Sequence, residues 1–283
     1  MKFIVLVLML FFSGELMFSQ EVELMNKFES RSHIMDSTTI PYRVFIPENK
    51  EGKLPLVIAL HGAGERGDDN SKQIEFHRLG TVWVDDVNQK EHPCFVVAPQ
   101  CPKEKKWVNI DWVNEKYDFK NTKISNELAT VVDLIDSLIE NYNIDENRIY
   151  VTGLSMGGYG SWYLLMNNPK RFAAAIIMSG TADPQMACEI KDIPVWDFHG
   201  DLDNAVPVEG SRNIIKAISD CGKDILLISN PNEKSFLNSE FRINRAINSE
   251  HIYTEYAGKG HVIWKESYNN KVVRDWLFSK KRK

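Results

Sequence analysis

Three short stretches carry residues whose types and spacing fit nucleophilic chemistry. Gly153-Leu154-Ser155-Met156-Gly157 has the form G-x-S-x-G, His199-Gly200-Asp201-Leu202-Asp203 holds two carboxylates, and Gly260-His261 holds an imidazole. A serine hydroxyl is a poor nucleophile near neutral pH. It needs a base to take its proton, and that base needs a carboxylate to orient it and to stabilise its charge. Ser155, then an acid, then His261 is the order in which a strand, a sharp turn and a helix present such a triad. The chemistry predicted is acyl transfer through an acyl-serine.

An acyl-transfer site also needs donors for the developing oxyanion. The N–H of Met156, next after the nucleophile, is one candidate. The other comes from His61-Gly62-Ala63-Gly64-Glu65-Arg66-Gly67, with Ala63 the expected donor and Gly64 the alternative. This loop lacks the spacing and the Lys-Ser/Thr of a phosphate-binding turn. His61 and His199 each precede a glycine at a strand end and read as structural or as supports behind the catalytic residues. His33, His77, His92 and His251 lack a catalytic context. Asp201 and Asp203 both stand where the acid is needed, and spacing does not choose between them.

The elements around these residues follow from hydrophobic periodicity. Residues 28–36 and 40–46 read as two antiparallel strands. Leu54–His61 and Cys94–Pro99 are unbroken apolar runs, which suit strands covered on both faces of a parallel sheet. Ile124, Leu128, Val131, Val132, Ile135, Leu138 and Ile139 recur at helical spacing. Ile149–Thr152 is a buried strand entering the G-x-S-x-G turn, and the run from Ser155 to Met166 is a helix ending before Pro169. Strands at 172–178, 193–199 and 251–256 alternate with helices at 208–221 and 264–278. That alternation predicts an α/β fold with a mostly parallel sheet and helices on both faces. Residues 222–250 are polar, weakly periodic and longer than a usual connection, and either pack over the edge of the site or are simply loop.

The 283 residues carry a net charge of −5 and 43% apolar residues, which describes a globular chain with no basic footprint for nucleic acid. Lys280–Lys283 reads as a solvated tail. Lys2 precedes an apolar run, Phe3–Phe12, too short to span a bilayer but suited to a secretory leader. Residues 1–20 are therefore expected to be a signal peptide and 21–283 a single domain, exported without stable membrane insertion. Export makes disulfides available to Cys94, Cys101, Cys188 and Cys221, whose spacing matches no zinc site and leaves bridges and buried thiols equally open.

Leu60–Gly67, Ala98-Pro99-Gln100-Cys101-Pro102, Gly153–Gly158, His199–Asp203 and Gly260-His261, in that order, resemble an α/β-hydrolase. The nearest group is the secreted esterases related to polyhydroxybutyrate depolymerases and feruloyl esterases, which includes sequences called phospholipase/carboxylesterase or predicted peptidase. The likeness covers about residues 40–276. It implies the α/β-hydrolase fold and ester hydrolysis by a Ser/Asp/His triad, with no metal and no cofactor. It also implies that the acid is the later aspartate, Asp203. Ala63 stands where many relatives carry another small or apolar residue.

The expected function is therefore a serine carboxylesterase acting on small-molecule or carbohydrate-linked esters. A peptidase or acyltransferase on the same triad is the alternative, as is an inactive exported binding protein. Trp107, Trp112 and Tyr117 offer a stacking surface for a sugar or aromatic acyl group, or else a satellite hydrophobic cluster. Glu65 and Arg66 either contact substrate or pair locally. Only Ser179–Asp192 separates two strands where many lipases insert a lid, which predicts an open site and short or aromatic acyl groups.

Overall fold

The computed structural model of the chain describes residues 20–48, 51–114, 116–229 and 239–282. The leader read from Phe3–Phe12 lies outside the described residues, as does Lys283.

Among the described residues nine strands form one sheet. In chain order they are β1 (Glu29–Met35), β2 (Thr38–Phe45), β3 (Leu54–Leu60), β4 (Phe95–Pro99), β5 (Ile144–Leu154), β6 (Ala174–Met178), β7 (Val195–Gly200), β8 (Ile225–Ser229) and β9 (His251–Tyr256). Their spatial order is β1-β2-β4-β3-β5-β6-β7-β9-β8. The β1–β2 hairpin and the β2–β4 pair are antiparallel; every pairing from β4 onward is parallel. β3 and β4 are buried at every position, as parallel strands covered on both faces require. Successive side chains on β3 point to opposite faces: Ile58 and Leu60 join one hydrophobic cluster, Val57 and Ala59 the other.

Helices α1 (Asn126–Asn141), α2 (Met156–Asn167) and α3 (Glu209–Asp220) cover the first face through residues such as Leu128, Trp162 and Ile214. Helices α4 (Glu240–Asn248), α5 (Trp264–Asn269) and α6 (Lys271–Ser279) lie on the second face, where Ala246, Tyr268 and Trp276 join the second hydrophobic cluster. Ser125 starts α1 by accepting a hydrogen bond from the N–H of Leu128 at 3.0 Å, a side-chain cap of the usual kind. Every residue of α2 from Met156 to Met166 is buried. A helix apolar on all sides belongs at the centre of the molecule, and α2 leads there directly from the middle of the sheet.

Two expectations are corrected. Residues 222–250 are not simply loop. They contain β8, the edge strand, and α4; residues 230–238 of that stretch lie outside the described residues. The closing helix is two helices, because the side chain of Asn270 accepts from the N–H of Val272 at 3.1 Å and starts a new helix. The cysteines divide evenly. Cys188 and Cys221 form a disulfide that ties the short helix Ala187–Ile190 to the end of α3, while Cys94 and Cys101 are buried free thiols. Between β6 and β7 the described chain makes only a 3₁₀ turn, Pro184–Met186, and that four-residue helix. No helix among the described residues is long and apolar enough to cross a membrane.

Candidate active site

Ser155 stands between the last residue of β5 and the first of α2 with φ of 53° and ψ of −122°, a left-handed conformation that costs a non-glycine residue energy. Close packing enforces it. A Cβ on Gly153 would lie 2.2 Å from the carbonyl oxygen of Gly157, and one on Gly157 would lie 1.9 Å from that of Leu60. The N–H of Ser155 donates to Met178 O at 2.9 Å, pinning the turn to the end of β6.

The three residues scattered in sequence meet at the C-terminal ends of the strands. His261, in the loop after β9, has Nε2 at 2.8 Å from Ser155 Oγ and Nδ1 at 2.7 Å from Asp203 Oδ2. A carboxylate only accepts, so Nδ1 carries the hydrogen and Nε2 is left to accept the serine proton. The side chain of Asp203 is wholly buried. Its Oδ1 accepts from the N–H groups of Ala205 at 2.8 Å and Val206 at 2.9 Å. Burial alone would raise the Asp203 pKa; hydrogen bonds from His199, His261 and Val206 outweigh it and hold the carboxyl well below the usual range. Asp201 instead accepts from the N–H of Gly258 at 2.7 Å, tying the β7 loop to the β9 loop.

The oxyanion candidates sit at two helix starts. Met156 is the first residue of α2 and Ala63 the first of a 3₁₀ turn, Ala63–Glu65, so neither N–H has a partner within its own helix. His61 aims the second. Its Nδ1 bonds Gly62 O at 2.5 Å, while Nε2 accepts from the N–H of Cys101 at 2.8 Å. In a trans peptide the N–H points opposite to the C=O, so the bond that turns Gly62 O back toward His61 directs Ala63 N–H the other way. Burial pushes the His61 pKa down to about 4, which keeps the ring neutral and this tautomer in place.

The sequence profile of the phospholipase/carboxylesterase family matches residues 42–252. The chain belongs to that family.

It is 25% identical over 177 residues to a bifunctional acetylxylan esterase/xylanase of Neocallimastix patriciarum, covering 62% of this chain and 23% of that protein. It is 28% identical over 136 residues to poly(3-hydroxyalkanoate) depolymerase C of Paucimonas lemoignei, covering 48% of this chain and 30% of the relative. The chain thus spans less than a third of the length of these curated relatives. Among solved structures, a thermostable esterase superposes with a TM-score of 0.78 at 37% identity, over 92% of this chain and 64% of that one. A ferulic acid esterase of Anaeromyces mucronatus superposes with a TM-score of 0.58 at 15% identity, over 89% of this chain and 90% of the other, and shows the shared α/β-hydrolase fold.

The substrate-contact candidates of this phospholipase/carboxylesterase-family chain separate. Trp107 has no exposed surface: its Nε1–H donates to His61 O at 3.1 Å and its ring meets the His61 ring at 5.3 Å. It therefore offers no stacking face and supports the His61–Ala63 segment from beneath. Tyr117 is buried as well. Trp112 is half-buried, with Arg66 at 5.8 Å and Lys106 at 4.7 Å from its ring and its carbonyl accepting from Tyr159 OH at 2.9 Å. Glu65 turns inward, 7% exposed, with Oε1 3.4 Å from His77 Nε2.

Two further residues touch the constellation. His199, expected to be structural or to support the site from behind, brings Nε2 to 3.2 Å from Asp203 Oδ2, and its Nδ1 is 2.8 Å from Ser211 Oγ. Its carboxylate partner is shared with His261. Trp264 packs edge-on against the His261 ring, centroids 5.1 Å apart. Its position three residues after His261 was the available signal.

Proposed function

We propose that the chain is an exported serine carboxylesterase, with Ser155, His261 and Asp203 as its triad and the N–H groups of Ala63 and Met156 as its oxyanion donors. The reading rests on one observation, the hydrogen-bonded line from Ser155 Oγ through His261 to Asp203. Ser155 Oγ attacks the ester carbonyl and its proton passes to His261 Nε2. The tetrahedral oxyanion is held by the two N–H groups, and Asp203 stabilises the imidazolium. His261 then protonates the leaving alcohol. Water, deprotonated by the same nitrogen, releases the acid from the acyl-serine. No step calls on a metal or cofactor.

The proposed substrates are short-acyl or aromatic-acyl esters linked to carbohydrate. The open stretch between β6 and β7 and the half-buried Trp112 support this, as do the acetylxylan esterase and ferulic acid esterase among the similar proteins. The apolar run Phe3–Phe12 supports export of a single domain from residue 21. The Cys188–Cys221 bridge adds to this, since disulfides persist in oxidising compartments.

The test is kcat/KM across acetyl, butyryl, octanoyl and palmitoyl p-nitrophenyl esters, methyl ferulate, acetylated xylan and a peptide, with and without EDTA. The proposal expects the shortest acyl groups and ferulate to lead and EDTA to change nothing. A methylene contributes about 0.8 kcal/mol only where it is buried, and an open cleft buries few. A rise toward palmitoyl, cleavage of the peptide, or metal-restored activity after chelation would reject it.

A further inference from the structure

Two histidines meet the carboxylate of Asp203, and the reaction as derived above uses one of them. Oδ1 is taken by the N–H groups of Ala205 and Val206, while Oδ2 lies 2.7 Å from His261 Nδ1 and 3.2 Å from His199 Nε2. The histidines reach one oxygen because their chain neighbours touch. A Cβ on Gly200 would lie 2.3 Å from the carbonyl oxygen of Gly260. Their settings differ. His261 stands on a loop with its side chain 24% exposed, whereas His199 belongs to β7 and its side chain has no exposed surface.

The neighbours of His199 place its hydrogen. Nε2 faces two acceptors, Asp203 Oδ2 and, at 3.1 Å, Val206 O, so it carries the hydrogen and shares it between them. In a neutral ring Nδ1 then accepts from the hydroxyl of Ser211, 2.8 Å away on α3 and fully buried. The imidazole is thus held at both edges. Without it, Oδ2 would be held among the described residues by His261 alone, the very group that Asp203 has to orient. Burial would raise the Asp203 pKa, and His199 is the largest influence against it, ahead of His261.

We infer that His199 is a positioning residue: it acts through Asp203, fixing the plane of the carboxylate so that one lone pair of Oδ2 stays aimed at His261 Nδ1. The inference rests on Ser155, His261 and Asp203 forming the triad. An aimed carboxylate stabilises a charge on His261 that develops as the serine proton is transferred. Loss of His199 should therefore fall on kcat and leave KM nearly unchanged.

The test uses two amide substitutions in the full chain, assayed with p-nitrophenyl acetate. Glutamine places an N–H group where Nε2 stands and keeps the donor to Asp203. Asparagine reaches only the Nδ1 position and keeps only the contact with Ser211. His199→Asn should lower kcat by roughly 10-fold with KM within about twofold, the low end for a hydrogen bond to a charged group, since a second acceptor shares it. His199→Gln should stay within about threefold of wild type. A role limited to packing or to holding Ser211 would instead give equal losses or the reverse order. In an Asp203→Ala background, His199→Asn should change kcat by less than about twofold, because its route of action is gone. Equal losses in folded Asn and Gln variants, wild-type kcat in a folded His199→Asn, or the same loss without Asp203 overturns this inference alone. If one amide variant fails to fold, the other decides by its own expected value. If both fail, nitrogen-15 spectra of the wild-type imidazoles decide: a hydrogen on His199 Nε2 supports the inference, and a bare Nε2 with the hydrogen on Nδ1 overturns it. Full esterase activity in Ser155→Ala overturns the triad reading and this inference with it.

Discussion

The α-carbon of Gly157 lies so close to the carbonyl of Leu60 that a methyl group on it would stand 1.9 Å from the oxygen. This contact joins the start of the helix that follows Ser155 to the end of the strand that precedes the Ala63 loop. Gly157→Ala should therefore fail by unfolding the elbow: loss of soluble protein or a large drop in Tm, measured by circular dichroism. Ser155→Ala should leave Tm within a few degrees and reduce esterase kcat by roughly 10⁶-fold. A folded Ser155→Ala retaining a tenth of wild-type rate would mean another nucleophile.

Asp203 and Asp201, two residues apart, have different partners, and their amide variants should separate. Asp203→Asn reverses the hydrogen bond to His261 Nδ1 and favours the wrong tautomer, at about 10⁴-fold in kcat. Asp201→Asn loses charge on a loop tie to Gly258 and should cost less than tenfold. The pH profile adds a sign. The base must be neutral to take the serine proton, so kcat/KM should rise from acid toward neutral pH. Asp203, held well below the usual carboxylate range, stays ionised throughout and adds no second limb there. Equal losses in the two variants would count against Asp203 as the acid.

Trp107 and Trp112 should fail in different ways. Trp107 is fully buried, and Trp107→Ala should cost roughly 3–5 kcal/mol of stability, read by urea denaturation. Trp112 keeps an exposed part, and Trp112→Ala should raise KM for methyl ferulate several-fold while p-nitrophenyl acetate changes little. If Trp112→Ala treats the two esters alike, Trp112 is not a contact for aromatic acyl groups.

Asp197 predicts a pH-dependent stability. It lies on β7 wholly buried, neither oxygen with a hydrogen-bond partner among the described residues, and burial pushes its pKa up to about 7. The fold therefore favours the neutral acid. Its stabilising share is complete below about pH 4 and is lost as pH rises through about 7. Asp197→Asn cannot ionise, so its stability relative to wild type should climb between pH 4 and pH 8, by roughly 2–4 kcal/mol. A difference that stays flat with pH would show that Asp197 does not titrate in this window.

Much of this architecture was legible before folding because its signals are local. The elbow is contiguous: a buried strand, two glycines around a serine and an apolar helix. The parallel strands are unbroken apolar runs, and the strand ends order Ser155, the acid and His261 along the chain. Residues 222–250 were misread because β8 is a five-residue edge strand that alternates buried with exposed positions; Leu227 alone is 65% exposed. Such a strand has no long apolar run to announce it.

The sequence by itself determined the elements and the residue types able to do acyl transfer, since hydrophobic period and glycine placement act within a few residues. Only the tertiary structure decided which groups meet. Asp203 rather than Asp201 reaches His261, although both aspartates belong to one pentapeptide, because the β7 and β9 loops lie side by side. Cys188 reaches Cys221 across 33 residues. Trp107 sinks beneath His61 while Trp112 stays half-exposed, and Glu65 turns in toward Gly62. These outcomes depend on the order of strands across the sheet, a long-range property that no local window of residues contains.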